Sequence, residues 1–251
     1  MGHLTLIELA SYGVVSFGTA ILSGIAGGGA GFINAPLLIL FGLSPAQAIT
    51  TGKLTGLSVA TSSLHGLTGV TAHMPKRQLG AIVGLALVVG ILSPFVITNL
   101  DSNVYRKIIG VFLLAMIPIL LFKKLGRTST HATTKKQTVG YVLLAPALAL
   151  QGIFGAGMGT LVNMILMGCM GMSALEASAT KRYSQVVLNV VIVIGVLASH
   201  LIVWSAALVG IVCSAFGAYA GTKLAVRRGN DFVIGVLILL TVASALFLLF
   251  S

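Results

Sequence analysis

Acidic residues are nearly missing: 4 Asp+Glu stand against 15 Lys+Arg in 251 residues. Charged residues of either sign make up only 8% of the chain, and apolar residues 57%. A soluble domain carries about 25% charged and about 45–50% apolar residues. This chain therefore lacks the polar surface to cover itself in water and reads as an integral membrane protein. That excludes most soluble enzymes and disulfide-stapled secreted domains. The two cysteines, Cys169 and Cys213, sit inside apolar runs and form neither a disulfide framework nor a metal pattern. The histidines (His3, His65, His73, His131 and His200) share no metal-ligand spacing. H-E-x-x-H, G-x-S-x-G and P-loop patterns are absent. Neither a metal, nor a cofactor, nor catalysis is expected. The apolar runs lack the alternation of period two that a membrane barrel needs, so the expected fold is all-α. No basic stretch precedes the first apolar run and no cleavage site leads into a soluble domain, so no cleavable signal is expected.

The net charge of +11 would suggest nucleic acid in a soluble protein. Here the basic residues cluster between apolar segments, where they act as topology anchors, so nucleic acid is not an expected partner. Apolar runs cover residues 6–26, 31–43, 46–71, 79–99, 104–122, 139–154, 159–171, 174–199, 201–225 and 232–250. Spanning a bilayer takes about 20 apolar residues. The runs 31–43 and 159–171 reach only about 20 Å at ~1.5 Å per residue, and each follows a glycine cluster.

The chain divides at a basic stretch, 123–137, with Lys123, Lys124, Arg127, Lys135 and Lys136. On either side lie two similar halves, 1–122 and 138–251. The first reads Ser23-Gly24-Ile25-Ala26-Gly27-Gly28-Gly29-Ala30-Gly31, then Asn34; the second reads Gln151-Gly152-Ile153-Phe154-Gly155-Ala156-Gly157-Met158-Gly159, then Asn163. After a one-residue slip, Leu43-Ser44-Pro45-Ala46-Gln47-Ala48 matches Met172-Ser173-Ala174-Leu175-Glu176-Ala177, Thr51 matches Thr180, and Lys53 matches Arg182. Short segments interrupted by glycine at corresponding places in two halves point to a transporter's binding site.

Charge sets the expected topology. The 123–137 stretch is cytoplasmic, as are Lys76/Arg77 and Arg227/Arg228 if each glycine cluster is the tip of a hairpin. Both termini then lie outside and the repeats are inverted. The rival arrangement, in which each short segment completes one broken crossing helix, puts Arg227 and Arg228 outside, against the charge rule. The hairpin is favoured.

Irregular backbone survives at membrane depth only where protein buries it or where it lines a wet cavity. Each glycine break would expose the N-terminus of the next short helix, whose free amides carry about half a positive charge and bind anions. The alternative is close helix packing through small residues. Asn34 and Asn163, one turn beyond the clusters, either contact a ligand or fix the loop's own carbonyls. Lys53, Lys181 and Arg182 are intramembrane cations, functional by default unless they snorkel to the interface. Thr51, Thr180, Gln151 and Ser23 would line the same cavity. The hydroxyls of Thr55, Ser58, Thr61, Ser62 and Ser63 are expected to bond carbonyls of their own helix. Glu176 would pair with Lys181 or Arg182, or carry a coupling proton. His65 is either a proton relay or, more simply, a hydrogen-bonded core histidine.

These residues resemble the sulfite exporter TauE/SafE family, also called the toluene-sulfonate uptake permease group. The likeness lies in Ser23 to Phe32, then Pro36 with its Leu-Leu pair, then Leu43-Ser44-Pro45 and Ala48, and in the second glycine run from Gly152 to Gly159. It covers essentially the whole chain. The resemblance implies an inner-membrane permease of two repeats that handles sulfite, sulfonates or related organic anions. By position, the family's glycine motifs map onto Gly27, Gly28, Gly29 and Gly31, and onto Gly155, Gly157 and Gly159. Ala156 and Met164 depart from the first copy's pattern.

The expectation is thus an all-α polytopic membrane protein with two inverted repeats, each pairing a Gly-rich break or hairpin with three spanning helices. A small anionic solute would bind between the glycine tips. Two alternatives stand beside it: a membrane subunit that moves nothing, and a carrier of a cation or other solute that uses the exposed carbonyls. Nothing in the sequence specifies an oligomeric state.

Overall fold

A computed structural model describes residues 4–28, 31–71, 76–99, 134–154 and 158–239. The 104–122 run and most of the central basic stretch lie outside them. All regular structure among the described residues is helical. The helices are α1 (Leu6–Ala26), α2 (Gly31–Leu40), α3 (Pro45–Gly66), α4 (Lys76–Asn99), α5 (Thr134–Phe154), α6 (Met158–Met170), α7 (Ala174–Val196), α8 (Trp204–Arg228) and α9 (Asn230–Leu239). Single turns follow α3, at Thr68–Thr71, and α7, at Leu197–Ser199.

α1 and α2 are separate helices, and so are α5 and α6. α1 stops at Gly27, whose φ of 72° lies in the left-handed region that a Cβ disfavours by about 1–2 kcal/mol. α2 starts at Gly31, and a second break separates α5 from α6. The matched Ser-Pro and Ser-Ala segments prove to be helix starts. Ser44 and Gln47 form a capping box on α3, and Ser173 and Glu176 form the same box on α7. Each hydroxyl accepts from the backbone N–H three residues on, while that residue's side chain accepts from the serine N–H. Ser173→Ala is expected to cost about 1 kcal/mol, read as a small fall in the thermal midpoint of purified protein with binding unchanged.

Helix pairing is the same in the two halves. α1 packs on α8 as α5 packs on α4, and α3 on α8 as α7 on α4. Within the halves, α1–α2 and α2–α3 correspond to α5–α6 and α6–α7. α3 against α7 is the contact that maps onto itself. There Gly56 meets Gln185, whose Nε2 donates to the Gly56 carbonyl at 3.3 Å. The spacing that separates Lys53 from Arg182 also separates Gly56 from Gln185, so two counterpart positions touch each other.

Among the described residues, four helices are long and apolar enough to cross a membrane: α1, α4, α7 with its following turn, and α8. α3 is as long but richer in Thr, Ser and Gly. It packs against α2, α7 and α8, so neighbouring helices rather than lipid cover much of its surface. The outer helices carry exposed Leu6, Ile7, Val14, Phe95, Leu208 and Phe216, a coat that suits hydrocarbon and not water. The apolar core centres on Leu144, Leu148, Val162, Leu166, Leu188 and Ile192. Lys135 and Lys136, expected in the central linker, instead open α5, and Lys76 and Arg77 open α4.

Candidate site at the glycine breaks

The two glycine breaks meet in space. A Cβ on Gly28 would lie 2.9 Å from the carbonyl carbon of Gly159 and 2.9 Å from the amide nitrogen of Thr160. The end of α1 thus rests backbone-to-backbone on the first turn of α6. Gly27 faces Asn163 and Ser178, and Gly159 faces the Lys181 ammonium. Gly31 opens α2; Gly29, Gly155 and Gly157 lie outside the described residues.

The last four carbonyls of any α-helix lack partners within it. At the end of α1, side chains of the second half supply donors. Arg182 Nη2 donates to the Ser23 carbonyl and also reaches Ser23 Oγ at 3.3 Å. Thr222 Oγ1 donates to the Gly24 carbonyl at 3.3 Å and Asn163 Nδ2 to the Ala26 carbonyl at 2.9 Å. Lys181 Nζ donates to the Gly27 carbonyl. The helix's negative pole thus receives two cations, the favourable arrangement. In the other direction, Lys53 Nζ donates to the Gln151 carbonyl at 2.8 Å. Lys53 and Arg182 are counterparts, and so are Ser23 and Gln151. Each half therefore reaches across with its own cation to the same carbonyl of its partner.

Lys53 is 3% exposed, Lys181 2% and Arg182 0%, so none of them snorkels. The described carboxylates are elsewhere. Glu8 and Glu176 cap their helices, and Asp231 is exposed. Glu176 thus bonds Ser173 and not Lys181 or Arg182: an N3 side chain turns back toward its own N-cap, whereas those cations point into the interior. His65 is exposed in the last turn of α3, its Nδ1 3.1 Å from the Thr61 carbonyl, so it is hydrogen-bonded but not a core residue.

Several polar residues expected at the site serve the scaffold. Thr51 Oγ1 accepts from the Val203 amide at 3.1 Å. Asn34 Oδ1 accepts from Thr19 Oγ1 at 3.1 Å. Thr180 Oγ1 points to Met172 Sδ at 3.5 Å. Thr61 bonds its own helix at Leu57, whereas Ser58 donates across to the Ile211 carbonyl at 2.7 Å and Thr55 meets the Tyr12 hydroxyl at 3.2 Å. Others are left over. Gln151 Oε1, Asn163 Oδ1, Ser178 Oγ and Arg182 Nε are buried without a partner among the described residues. Such atoms are rare in folded proteins and mark a place for water or a ligand. Ser178 was not apparent from the sequence. Its signal is its place one turn before Lys181 and Arg182, on the same helix face.

The all-helical bundle, its lipid-suited coat and the polar crossing buried inside it define a multi-pass membrane protein. The sulfite exporter TauE/SafE family model matches residues 12–248, and the chain belongs to that family. It is 27% identical over 226 residues to a "Probable membrane transporter protein" of Haemophilus influenzae, covering 87% of this chain and 86% of the relative. It is 24% identical to "Probable membrane transporter protein ORF9" of a Sinorhizobium species, over 99% of this chain and 95% of the relative. It is 21% identical to "Probable membrane transporter protein YfcA" of Escherichia coli, over 94% and 89%. No solved structure matches significantly. The protein is a membrane transporter of this family.

Proposed function

We propose that the protein is a secondary transporter that carries a small anion, sulfite-like or sulfonate-like, across the inner membrane. The observation that carries this reading is the charge balance at the glycine breaks. Lys53, Lys181 and Arg182 are buried there, while the described carboxylates cap helices or face out. Each helix C-terminus returns only about half a negative charge. The surplus is positive, in a region where burying unpaired charge is expensive, and a small anion removes it. A cation reading finds less support, because the carbonyls it would use, those of Ser23, Gly24, Ala26 and Gly27, already accept from protein donors.

The matched helix pairings support two repeats, 1–122 and 138–251, related by an axis through the α3–α7 crossing, with the basic 123–137 stretch, whose last residues open α5, on the cytoplasmic side. Inverted repeats place a solute site near the midplane and alternate access by one repeat moving against the other. The basic first turns of α4 and α5 favour the cytoplasmic side for both. Lysine and arginine at a helix N-terminus oppose the dipole, and about 1 kcal/mol per residue from an anionic leaflet offsets that cost. Both termini then lie outside.

The test is a thermal-shift screen of purified protein against sulfite, thiosulfate, sulfonates and carboxylates, with sodium and potassium as controls. A bound anion at 100-fold its Kd should stabilise by about 2.7 kcal/mol. Stabilisation by sodium or potassium, with no preference among anions, would overturn the reading.

A further inference from the structure

We infer that the anion is held off the pseudo-symmetry axis, on the α7 face of the second half, by Ser178 and Arg182 with Lys181 between them. This rests on the anion reading above and assigns the site to particular donors.

The halves match in helix pairing but not in this chemistry. Ser178, Lys181 and Arg182 occupy positions i, i+3 and i+4, and so share one face of α7. Their counterparts on α3 are Ile49, Gly52 and Lys53. The first half therefore offers one cation and no hydroxyl where the second offers two cations and a hydroxyl. Lys53 also has no unpartnered atom among the buried ones, while Arg182 keeps Nε free and Ser178 keeps Oγ free. Both of these atoms carry a proton to donate. Ser178 is 2% exposed, and its Oγ lies 2.6 Å from where a Cβ on Gly27 would stand. It thus sits at the break itself. Across the break is the first turn of α6, a helix of 13 residues, whose leading amides lack intrahelical partners and favour an anion.

Ser178 then serves the passenger at no benefit to the empty fold. Removing a buried hydroxyl that has no partner is neutral or stabilising for the folded state, whereas losing a hydrogen bond to a charged ligand weakens binding. These opposite signs separate a ligand contact from a packing role.

Sulfite binding and unliganded thermal midpoint should be measured on the purified full-length protein for wild type, Ser178→Ala and Ser63→Ala. Ser63 also carries a buried hydroxyl without a partner and lies on α3 beyond the glycine breaks. Ser178→Ala is expected to weaken sulfite binding about tenfold or more, the loss of one hydrogen bond to a charged group, with its unliganded midpoint unchanged or raised. Ser63→Ala should bind as wild type. Wild-type affinity in Ser178→Ala, or an equal loss in Ser63→Ala, would overturn the off-axis site and leave the anion reading standing. A lower unliganded midpoint in Ser178→Ala without weaker binding would assign Ser178 to packing and overturn it too. A wild-type protein that binds none of the anions would overturn both.

Discussion

Arg182→Gln is expected to abolish anion flux in proteoliposomes and to lower the thermal midpoint of the purified protein. Arg182 is fully buried and bonds the Ser23 carbonyl, Ser23 Oγ and Gln185 Oε1. Glutamine is too short to reach all three, and each buried polar group left unpaired costs about 1–3 kcal/mol. It also removes the charge that balances the end of α1. Arg182→Lys separates the two losses. The first half places a lysine, Lys53, at the corresponding position, and that lysine satisfies the Gln151 carbonyl alone. A lysine at 182 should therefore restore the charge and the Ser23 contact while losing the fork that also holds Gln185. The expected order of flux is wild type, then Arg182→Lys, then Arg182→Gln. Equal flux in wild type and both variants would remove the cation from the mechanism.

Gly28→Val is expected to leave no functional transporter. The added carbon would meet Gly159 and Thr160 at 2.9 Å, and those are backbone atoms at the first turn of α6, not the tip of a yielding side chain. Overpacking commonly costs about 1–3 kcal/mol. Here the displaced element is also the helix start that would face the anion, so flux should fall further than stability. Gly52→Ala is the matched control. A Cβ there meets nothing within 4 Å, and alanine in a helix interior gains about 0.5–1 kcal/mol over glycine. Its midpoint should hold or rise. Surviving flux in Gly28→Val would mean that the two breaks do not need to touch.

Much of the fold was legible because membranes permit few solutions. Long apolar runs must be helices, and the glycine clusters marked breaks at residues 27–31 and beyond Phe154. The doubling of Ser44, Lys53 and Asn34 in Ser173, Arg182 and Asn163 was visible as well. The serine segments are capping boxes, a local pattern of S-x-x-Q and S-x-x-E that explains Glu176 without any ion pair. The partners of the cations were not legible. A lysine in a span can snorkel or turn inward, and only the three-dimensional crossing shows Lys53 on Gln151 and Arg182 on Ser23. Ser178 was hidden for the same reason: a lone serine in a helix usually bonds its own carbonyls, and its lack of a partner emerges only after packing.

On the proposed function, the paired breaks carry a small anion through a positively charged crossing. Uptake of radiolabelled sulfite into proteoliposomes, with unlabelled sulfonates as competitors and the external cation varied, tests it most directly. Saturable uptake that sulfonates reduce and that Arg182→Gln eliminates is expected. Saturable uptake of sodium or potassium that no anion alters, undiminished in Arg182→Gln, would contradict it.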